Sequence, residues 1–347
     1  METLPLDSLG MMDVTLGLPE QVEAAADAGR GVEGLPRREL VENVVVLGMG
    51  GSGVAGDLLL AIAAPFMAVP VVVVKGYTPP AFVGEGTLVF AVSFSGDTEE
   101  TLEAATEAAM QGAHIVAVTA GGELAHRATG WGAPVVPVPT DIPQPRAAIG
   151  AMAIPPLVVL EEIGLFPGAS QWISLAVEQL RRRRDQLTGS AAVNPARELA
   201  RRIGRTVPLV YSSGAVGATA AMRWKNQFNE NSKVPAFWNT YPELCHNEIC
   251  GWGQHGDVTR QLFTVVNLRT DSEHPQVMRR FELVDDIVRE VVASVEEVVA
   301  QGEGDLAQLM DLVLFGDCVS LYLAAQEGVD PGPVPILGEL KAALGAL

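Results

Sequence analysis

The stretch from Leu88 to Thr101, LVFAVSFSGDTEET, places the tightest limit on how this chain folds. Its apolar start, residues 88–92, predicts a buried parallel strand. The strand is followed at once by three hydroxyl residues and a glycine, namely Ser93, Ser95, Thr98 and Gly96. A helical pattern then begins at Glu99. Because the first N–H groups of a helix lack an internal partner and the helix dipole is positive there, the stretch predicts a phosphate site.

A simpler interpretation is that Ser95 or Thr98 only caps the helix. Capping accounts for one hydroxyl, whereas this turn has three of them within a few residues, next to a glycine. We therefore favour phosphate binding and keep capping as the alternative.

A second glycine-rich turn lies in residues 41–64, VENVVVLGMGGSGVAGDLLLAIAA, which has the pattern strand, turn, helix. Its spacing matches the dinucleotide fingerprint G-x-G-x-x-G at Gly48, Gly50 and Gly53. That fingerprint requires an acidic residue at the end of the next strand, about 20 residues further on. The next strand pattern ends in Lys75 instead, so NADP, with its 2′-phosphate, is the dinucleotide that stays open as an alternative.

The favoured interpretation of this turn is a second anion-binding loop, formed by Gly50, Gly51 and Ser52. Adjacent glycines allow the backbone to approach a ligand closely. We expect this loop to lie beside the Ser93–Thr98 turn, since both follow strands of the same predicted sheet.

Strand and helix patterns alternate through the first half of the chain. Further strands are predicted at His114–Thr119 and at residues 135–139. This order of elements gives a parallel sheet, whose ligands bind beyond the carboxyl ends of the strands. All the glycine- and serine-rich turns fall at those ends.

The second half repeats the first in outline, after a helical region over residues 150–206. Strand patterns return at residues 207–214 and 262–270, and two long helices are predicted over roughly 274–328. The predicted fold class is α/β, with two related domains that each form a parallel sheet flanked by helices. We place the domains at residues 1–152 and 153–347.

Composition limits the classes of partner. The chain has 347 residues, 48% hydrophobic and 19% charged, with a net charge of −19. This charge argues against nucleic acid or an anionic membrane as a partner, although a local site for a sugar phosphate remains compatible with it. The N-terminus lacks the pattern of a signal peptide, and three cysteines do not make a disulfide framework. We expect a cytoplasmic protein that does not enter a membrane.

Other candidate residues lie between the predicted sheets and near the end of the chain. Arg146 follows two prolines, which hold its backbone stiffly, and arginine suits an oxyanion or phosphate. Residues 225–248 are rich in Asn, Trp and ionisable groups, which is unusual for a mere connection. Lys341 stands out because the chain has only a few lysines. For Arg146 and Lys341, an exposed side chain on the surface is the competing interpretation.

Four residues in this region are candidate zinc ligands by residue type: Cys245, His246, Cys250 and His255. The C-x₄-C spacing is unusual for zinc, and no second cysteine pair exists. We therefore predict no metal ligand among them, and no cofactor.

Several of these motifs occur together in one family. The segments GMGGSG, SFSGDTEET, PR, NQFNENSK and ELCHNE, followed by the terminal lysine, resemble in content and order the bifunctional phosphoglucose/phosphomannose isomerases of the sugar isomerase (SIS) superfamily. The resemblance covers nearly the whole chain. It implies two SIS domains, a homodimer, a sugar-phosphate substrate and metal-independent isomerisation through an enediolate.

The resemblance also implies roles for individual residues. It assigns phosphate binding to five positions: Gly51, Ser52, Ser93, Ser95 and Thr98. Glu230 corresponds to the base that moves a proton between C1 and C2, and Arg146 to the group that steadies the enediolate. His246 and Lys341 correspond to the ring-opening pair, with His246 reaching the partner's site.

One departure bears on specificity. The family usually carries a hydroxyl residue shortly before the final lysine, linked to acceptance of the mannose epimer, but here no Ser or Thr follows Ser320. We therefore expect phosphoglucose activity more firmly than phosphomannose activity. The alternative from another class is a catalytically silent sugar-phosphate-binding SIS protein.

Overall fold

The computed structural model describes residues 4–189 and 193–344 and contains two parallel sheets surrounded by helices. The strands are β1 Asn43–Leu47, β2 Val71–Val74, β3 Thr87–Ser93, β4 His114–Thr119, β5 Val135–Pro137, β6 Val207–Ser213, β7 Phe237–Tyr241, β8 Phe263–Arg269 and β9 Ser294–Val299. The helices of the first half are α1 Met11–Leu16, α2 Leu18–Gly29, α3 Gly50–Ile62, α4 Glu99–Met110, α5 Gly122–Trp131 and α6 Ile149–Ile163. Those of the second half are α7 Ala169–Thr188, α8 Pro195–Ile203, α9 Gly214–Gln227, α10 Gly256–Leu262, α11 Pro275–Val288, α12 Asp305–Glu327 and α13 Pro335–Leu344.

The first sheet has the strand order β2-β1-β3-β4-β5, and every pairing in it is parallel. The apolar strands β1 and β3 lie at its centre, with Val45 opposite Val89 and Leu47 opposite Ala91. In this order the chain reverses direction across the sheet between β1 and β3. Ligands of open α/β sheets bind at such a switch point. The predicted anion loops, which follow β1 and β3, therefore meet at the position where this topology binds ligands.

The second sheet has the order β7-β6-β8-β9, which repeats the first sheet without a fifth strand. All of its pairings are parallel as well. The two sheets confirm the predicted α/β class with two similar halves. The predicted division at residue 152/153 falls within α6, which packs against α2 and α3 as well as α7, and this boundary stays a prediction.

The core between the halves is built around α12. This helix packs against α7, α8 and α9 and against the turn of residues 228–232. It is the one helix of the described residues long and apolar enough to cross a membrane, yet the apolar window is entirely buried within the protein. Its apolar composition is therefore explained by its place in the core. The cytoplasmic location expected from the sequence stays a prediction.

Two strands differ from the sequence-based expectation. The two helices predicted over roughly 274–328 are present as α11 and α12, but the strand β9 that lies between them was not expected. Glu296 and Glu297 mask the strand pattern, but β9 is an edge strand and these carboxylates pair with arginines of neighbouring elements. The other strand, β7, is an edge strand within the polar segment 225–248 and was not expected there.

Candidate active site

The turn after β3 is held by its own hydroxyl groups. The Ser93 hydroxyl is buried, donates to the Thr98 hydroxyl at 3.0 Å and accepts from the Gly96 N–H at 3.1 Å. The Ser95 hydroxyl accepts from the Asp97 N–H at 3.2 Å. Thr98 is the N-cap residue of α4, but no side chain makes a capping hydrogen bond there. The interpretation that Thr98 only caps the helix is therefore wrong, and the start of α4 remains open to an anion.

Gly96 is required at its position for a steric reason. Its φ is +78°, and a Cβ atom added to it would lie 1.9 Å from the carbonyl oxygen of Gly121. The turns after β3 and β4 thus touch through their backbones. A rigid turn of this kind presents its N–H groups in fixed directions, as an anion site requires.

The start of α3 joins this turn. The Ser52 hydroxyl accepts from the Phe94 N–H at 3.3 Å, and its other neighbour is the sulfur of Met152 at 3.2 Å. As in α4, no side chain caps α3. Two helix N-termini without side-chain caps therefore lie side by side at the switch point, which favours a doubly charged group such as a phosphate.

Gly51 connects the anion loops to Arg146. A Cβ atom at Gly51 would lie 3.3 Å from both the Pro145 carbonyl oxygen and the Arg146 Cα. The absence of a side chain thus lets the first turn of α3 pack on the backbone of Arg146. The order of contacts along the site is the Ser93 turn, Ser52, Gly51 and then Arg146.

The Arg146 side chain is buried, at 3% exposure, and it is anchored on several sides. Its Nε donates to Asn231 Oδ1 at 2.7 Å, and its Nη2 donates to the carbonyl oxygens of Pro331 and Gly332 at 2.6 and 2.8 Å. Its Nη1 donates to Gln144 at 3.1 Å. Burial lowers the pKa of Arg146, although guanidinium stays protonated in proteins. The competing interpretation of an exposed surface arginine is wrong.

Glu230 faces the remaining edge of this guanidinium. Its Oε2 lies 3.6 Å from Arg146 Nη1, and its side chain is 30% exposed. Glu230 belongs to a single π-helical turn, Phe228–Ser232, at the end of α9, and such turns often occur at functional sites. The structure therefore brings together two predicted residues that lie far apart in sequence, a carboxylate open to solvent and a buried cation.

Lys233 is a neighbour of this pair to which the sequence assigned no role. It has a φ of +58°, and its Nζ donates to the carbonyl oxygens of Glu230 and Pro331. Burial, and then the charge of Arg146, lower its pKa. Left-handed backbone in a non-glycine residue is costly and is often found at functional sites.

The two predicted ring-opening residues lie outside this cluster in the single chain. His246 is exposed in a 3₁₀ turn after β7, and Lys341 is exposed on α13. Within residues 4–189 and 193–344, neither side chain makes a hydrogen bond or ion pair with Arg146 or Glu230. The region around His246 is nevertheless fixed, because the Glu248 carboxylate accepts from the Tyr211 hydroxyl and the Asn239 amide.

Cys245, His246, Cys250 and His255, the alternative zinc ligands of the sequence analysis, do not form a metal-binding group among the described residues. Across the described part of the chain, no group of three or more His, Cys, Asp or Glu side chains is arranged to hold a metal ion. Cys245 is half-buried and Cys250 is exposed, and both are free thiols.

Comparisons with known proteins identify the class and then the family. The SIS domain family matches residues 41–130, so the fold is that of a SIS-domain protein. The bacterial phospho-glucose isomerase C-terminal SIS domain matches residues 192–344. A solved C-terminal domain of glucosamine-fructose-6-phosphate aminotransferase from Francisella tularensis has the same fold, with a TM-score of 0.69 and 17% identity over 93% of this chain and 98% of that one.

Full-length relatives are more informative. A bifunctional phosphoglucose/phosphomannose isomerase of Caldicellulosiruptor bescii is 35% identical over 97% of this chain and 99% of its own length. One from Aquifex aeolicus is 34% identical over 87% of this chain and 90% of its own length. The chain belongs to the bifunctional phosphoglucose/phosphomannose isomerase family, and it is an isomerase.

Proposed function

We propose that this enzyme interconverts glucose 6-phosphate with fructose 6-phosphate, and mannose 6-phosphate less efficiently, through an enediolate and without a metal. The observation that carries the proposal is the Glu230 carboxylate beside Nη1 of the buried Arg146, at 3.6 Å. The chain of contacts through Gly51 and Ser52 links this pair to the two open helix N-termini. A site with a phosphate-binding region at one end and an acid–base pair at the other is suited to a sugar phosphate.

The phosphate would bind at the starts of α3 and α4. Ser95 and Thr98 donate to its oxygens, together with the N–H groups of the first helical turns, while Gly51 and Ser52 line the other side. Ser93 acts through Thr98, to which it is hydrogen-bonded. Binding energy from this remote group positions the reacting carbons.

Glu230 then moves one proton between C2 and C1 of the open sugar. A positioned carboxylate contributes about 10²–10⁴-fold as a general acid–base catalyst. Its partial exposure leaves it accessible to the substrate. For this proton transfer, the Glu230 carboxylate has to move away from the Arg146 guanidinium so that a substrate oxygen fits between them.

Arg146 Nη1 meets the negative charge that develops on the enediolate. A donor that is fixed before the reaction stabilises this charge without reorganisation. Nε and Nη2 are engaged by protein acceptors, and Nη1, which also donates to Gln144, is the nitrogen that lies beside Glu230 and would meet the substrate.

His246 and Lys341 would complete the site in a homodimer, with His246 opening the ring bound by the partner chain. Two features support a second copy. The His246 region carries large exposed apolar side chains, among them Phe237 and Trp238 on the edge strand β7. Helix α13, which carries Lys341, has no buried residue and exposes an apolar face formed by Ile336, Leu337, Leu340 and Leu344.

The test is hydrogen exchange in heavy water. Glu230→Gln keeps the shape of the side chain and removes its basicity, so we expect deuterium incorporation at C1 of fructose 6-phosphate and at C2 of glucose 6-phosphate to stop while binding of the sugar phosphate persists. Glu303→Gln, at an exposed position, is the control and should exchange like wild type. Wild-type exchange in Glu230→Gln would refute the base assignment. Binding without exchange in the wild-type protein would identify a silent sugar-phosphate-binding protein.

Metal independence is tested separately. Exhaustive chelation should leave the isomerase rate unchanged, since a carboxylate and an arginine supply the proton transfer and the charge stabilisation. Loss of activity that zinc restores would refute this part of the proposal.

A further inference from the structure

We propose that Arg223 and Asp317 are positioning residues that set the guanidinium of Arg146 against Glu230. The inference rests on the proposed function, since it explains how the arginine of that reaction is held. Asp317 lies in the middle of α12, the helix at the centre of the core, and Arg223 lies in α9. The Arg223–Asp317 pair therefore connects α12 to the site.

The first half of this arrangement is a buried ion pair. Arg223 donates to Asp317 through Nε at 3.1 Å and through Nη2 at 2.6 Å. Both side chains are almost fully buried, at 2% and 5% exposure. The Nη2 group of Arg223 also donates to the main-chain carbonyl of Arg146 at 2.9 Å. The ion pair thus fixes the backbone from which the Arg146 side chain extends.

The second half holds the side chain of Arg146 itself. Its Nε donates to Asn231, whose amide nitrogen donates to the Ser320 hydroxyl at 2.9 Å. That hydroxyl donates in turn to the main-chain carbonyl of Asp317 at 2.7 Å. A closed ring of contacts results, in the order Arg146, Asn231, Ser320, Asp317, Arg223 and Arg146.

The ring fixes both the start and the end of the Arg146 side chain on one turn of α12. Asn231 is also the neighbour of Glu230, so the same ring sets the position of the base. Since a misplacement of about 1 Å can cost about 10²-fold in rate, a rigid ring of this kind has a direct catalytic consequence. Buried charge pairs are poor stabilisers compared with apolar packing, which favours a role other than stability.

The chain contains a matched control on the same helix. Arg183 pairs with Asp311 through Nε at 2.7 Å and Nη2 at 2.6 Å, and both side chains are buried. Asp311 lies six residues before Asp317 in α12 but faces α7. This second pair has the bidentate geometry and burial of the first without its contact to Arg146, and Asp311 also accepts from the Gln179 amide and the Gln301 N–H.

The experiment compares Asp317→Asn with Asp311→Asn. Each substitution removes one carboxylate charge from a buried pair, so both variants should lose thermal stability to a similar extent. We expect only Asp317→Asn to lower kcat, by at least about tenfold, with KM for fructose 6-phosphate changed by less than about threefold. Exchange of the C1 proton of fructose 6-phosphate should fall in parallel with kcat. A kcat that falls equally in the two variants, or in neither, would overturn the proposal.

A milder variant keeps the test decisive if Asp317→Asn does not fold. Ser320→Ala interrupts the other half of the ring, and Cys318→Ala, at a buried position nearby on α12, is its control. We expect Ser320→Ala to lower kcat several-fold and Cys318→Ala to leave it unchanged; equal kcat values would refute the ring. These outcomes are distinct from failure of the proposed function, which binding without exchange in the wild-type protein would show.

Discussion

At the scale of single residues, the three hydroxyls of the Ser93–Thr98 turn are not equivalent. Ser93 is buried and its hydroxyl is already engaged at both ends, by Thr98 and by the Gly96 N–H. Ser95 is exposed, and Thr98 is half-buried at the start of α4. The sequence grouped them as one phosphate set, whereas the structure gives Ser93 a structural contact and leaves the outer pair nearest to solvent.

A double substitution at the outer pair tests phosphate anchoring. Ser95→Ala with Thr98→Ala should raise KM for fructose 6-phosphate by at least about tenfold, because each hydrogen bond to a charged group is worth about 1.5–3 kcal/mol. The value of kcat should change little, since the phosphate lies away from the reacting carbons. Thr129→Ala, an exposed hydroxyl on α5, is the control in the steady-state assay. A double variant with wild-type KM would show that this turn only shapes the start of α4.

Sequence motifs identified the site residues Arg146 and Glu230, but they could not identify residues whose role depends on a partner far away in the chain. Arg146 and Glu230 stand in motifs, so both were candidates before their 3.6 Å approach was known. Arg223 and Asp317 lie 94 positions apart, and no local pattern connects them. One signal was present: Asp317 is a lone acid in the apolar run LVLFGDCVSLYL, and a buried carboxylate requires a partner.

At the scale of elements, all the strands of the first sheet and the central strands of the second were predictable, whereas the two edge strands of the second sheet were not. Strands β1, β3 and β4 are buried on both faces, so they read as continuous apolar runs with glycine- or serine-rich turns after them. Strands β7 and β9 lie at the two edges of the second sheet and carry polar residues that the solvent or an arginine satisfies. Periodicity alone does not distinguish such strands from loops or helix ends.

Helix α13 was of interest in the sequence only because it contains Lys341. It has ten residues, none of them buried, and isolated helices of that length are marginal in water. Its stability therefore requires a surface that covers the apolar face. In the proposed homodimer this surface belongs to the second copy.

Charges placed on that face should dissociate the dimer. Leu337→Glu with Leu340→Glu puts two carboxylates at exposed apolar positions, so the fold of each chain should be kept while the proposed interface loses apolar contacts. We expect monomers in sedimentation equilibrium and a loss of isomerase activity with unchanged circular dichroism. Glu339→Gln, on the same helix, should remain dimeric. A stable dimer of the double glutamate variant would show that α13 lies outside the interface.

At the scale of the whole molecule, the net charge of −19 and an anionic substrate are reconciled by local structure. The first turn of α4 carries Glu99 and Glu100, but the starts of α3 and α4 have no side-chain cap, and the cations Arg146 and Lys233 lie together at the Pro331 carbonyl. Distant surface carboxylates act weakly there, because charges more than about 8 Å apart in solvent are largely screened at physiological ionic strength.

The largest unit that the proposed chemistry needs is the dimer, and mixed dimers test it. Glu230→Ala and His246→Ala should each be inactive alone. If Glu230 of one chain and His246 of the other serve one site, a mixed dimer has one site with both defects and one site with neither. Since random pairing makes half of all dimers mixed, refolding the two variants together should restore about a quarter of wild-type activity.

The controls define what each result means. Each variant refolded alone measures the residual rate, and wild type refolded alone measures the yield of active enzyme. Different affinity tags on the two variants measure the fraction of mixed dimers. Return of a quarter of the activity requires that His246 reach across the interface. The exposed His246 makes no hydrogen bond or ion pair with Arg146 or Glu230 among the described residues of its own chain, which favours this outcome. If mixed dimers form and no activity returns, every site still contains one defect, and His246 acts within its own chain.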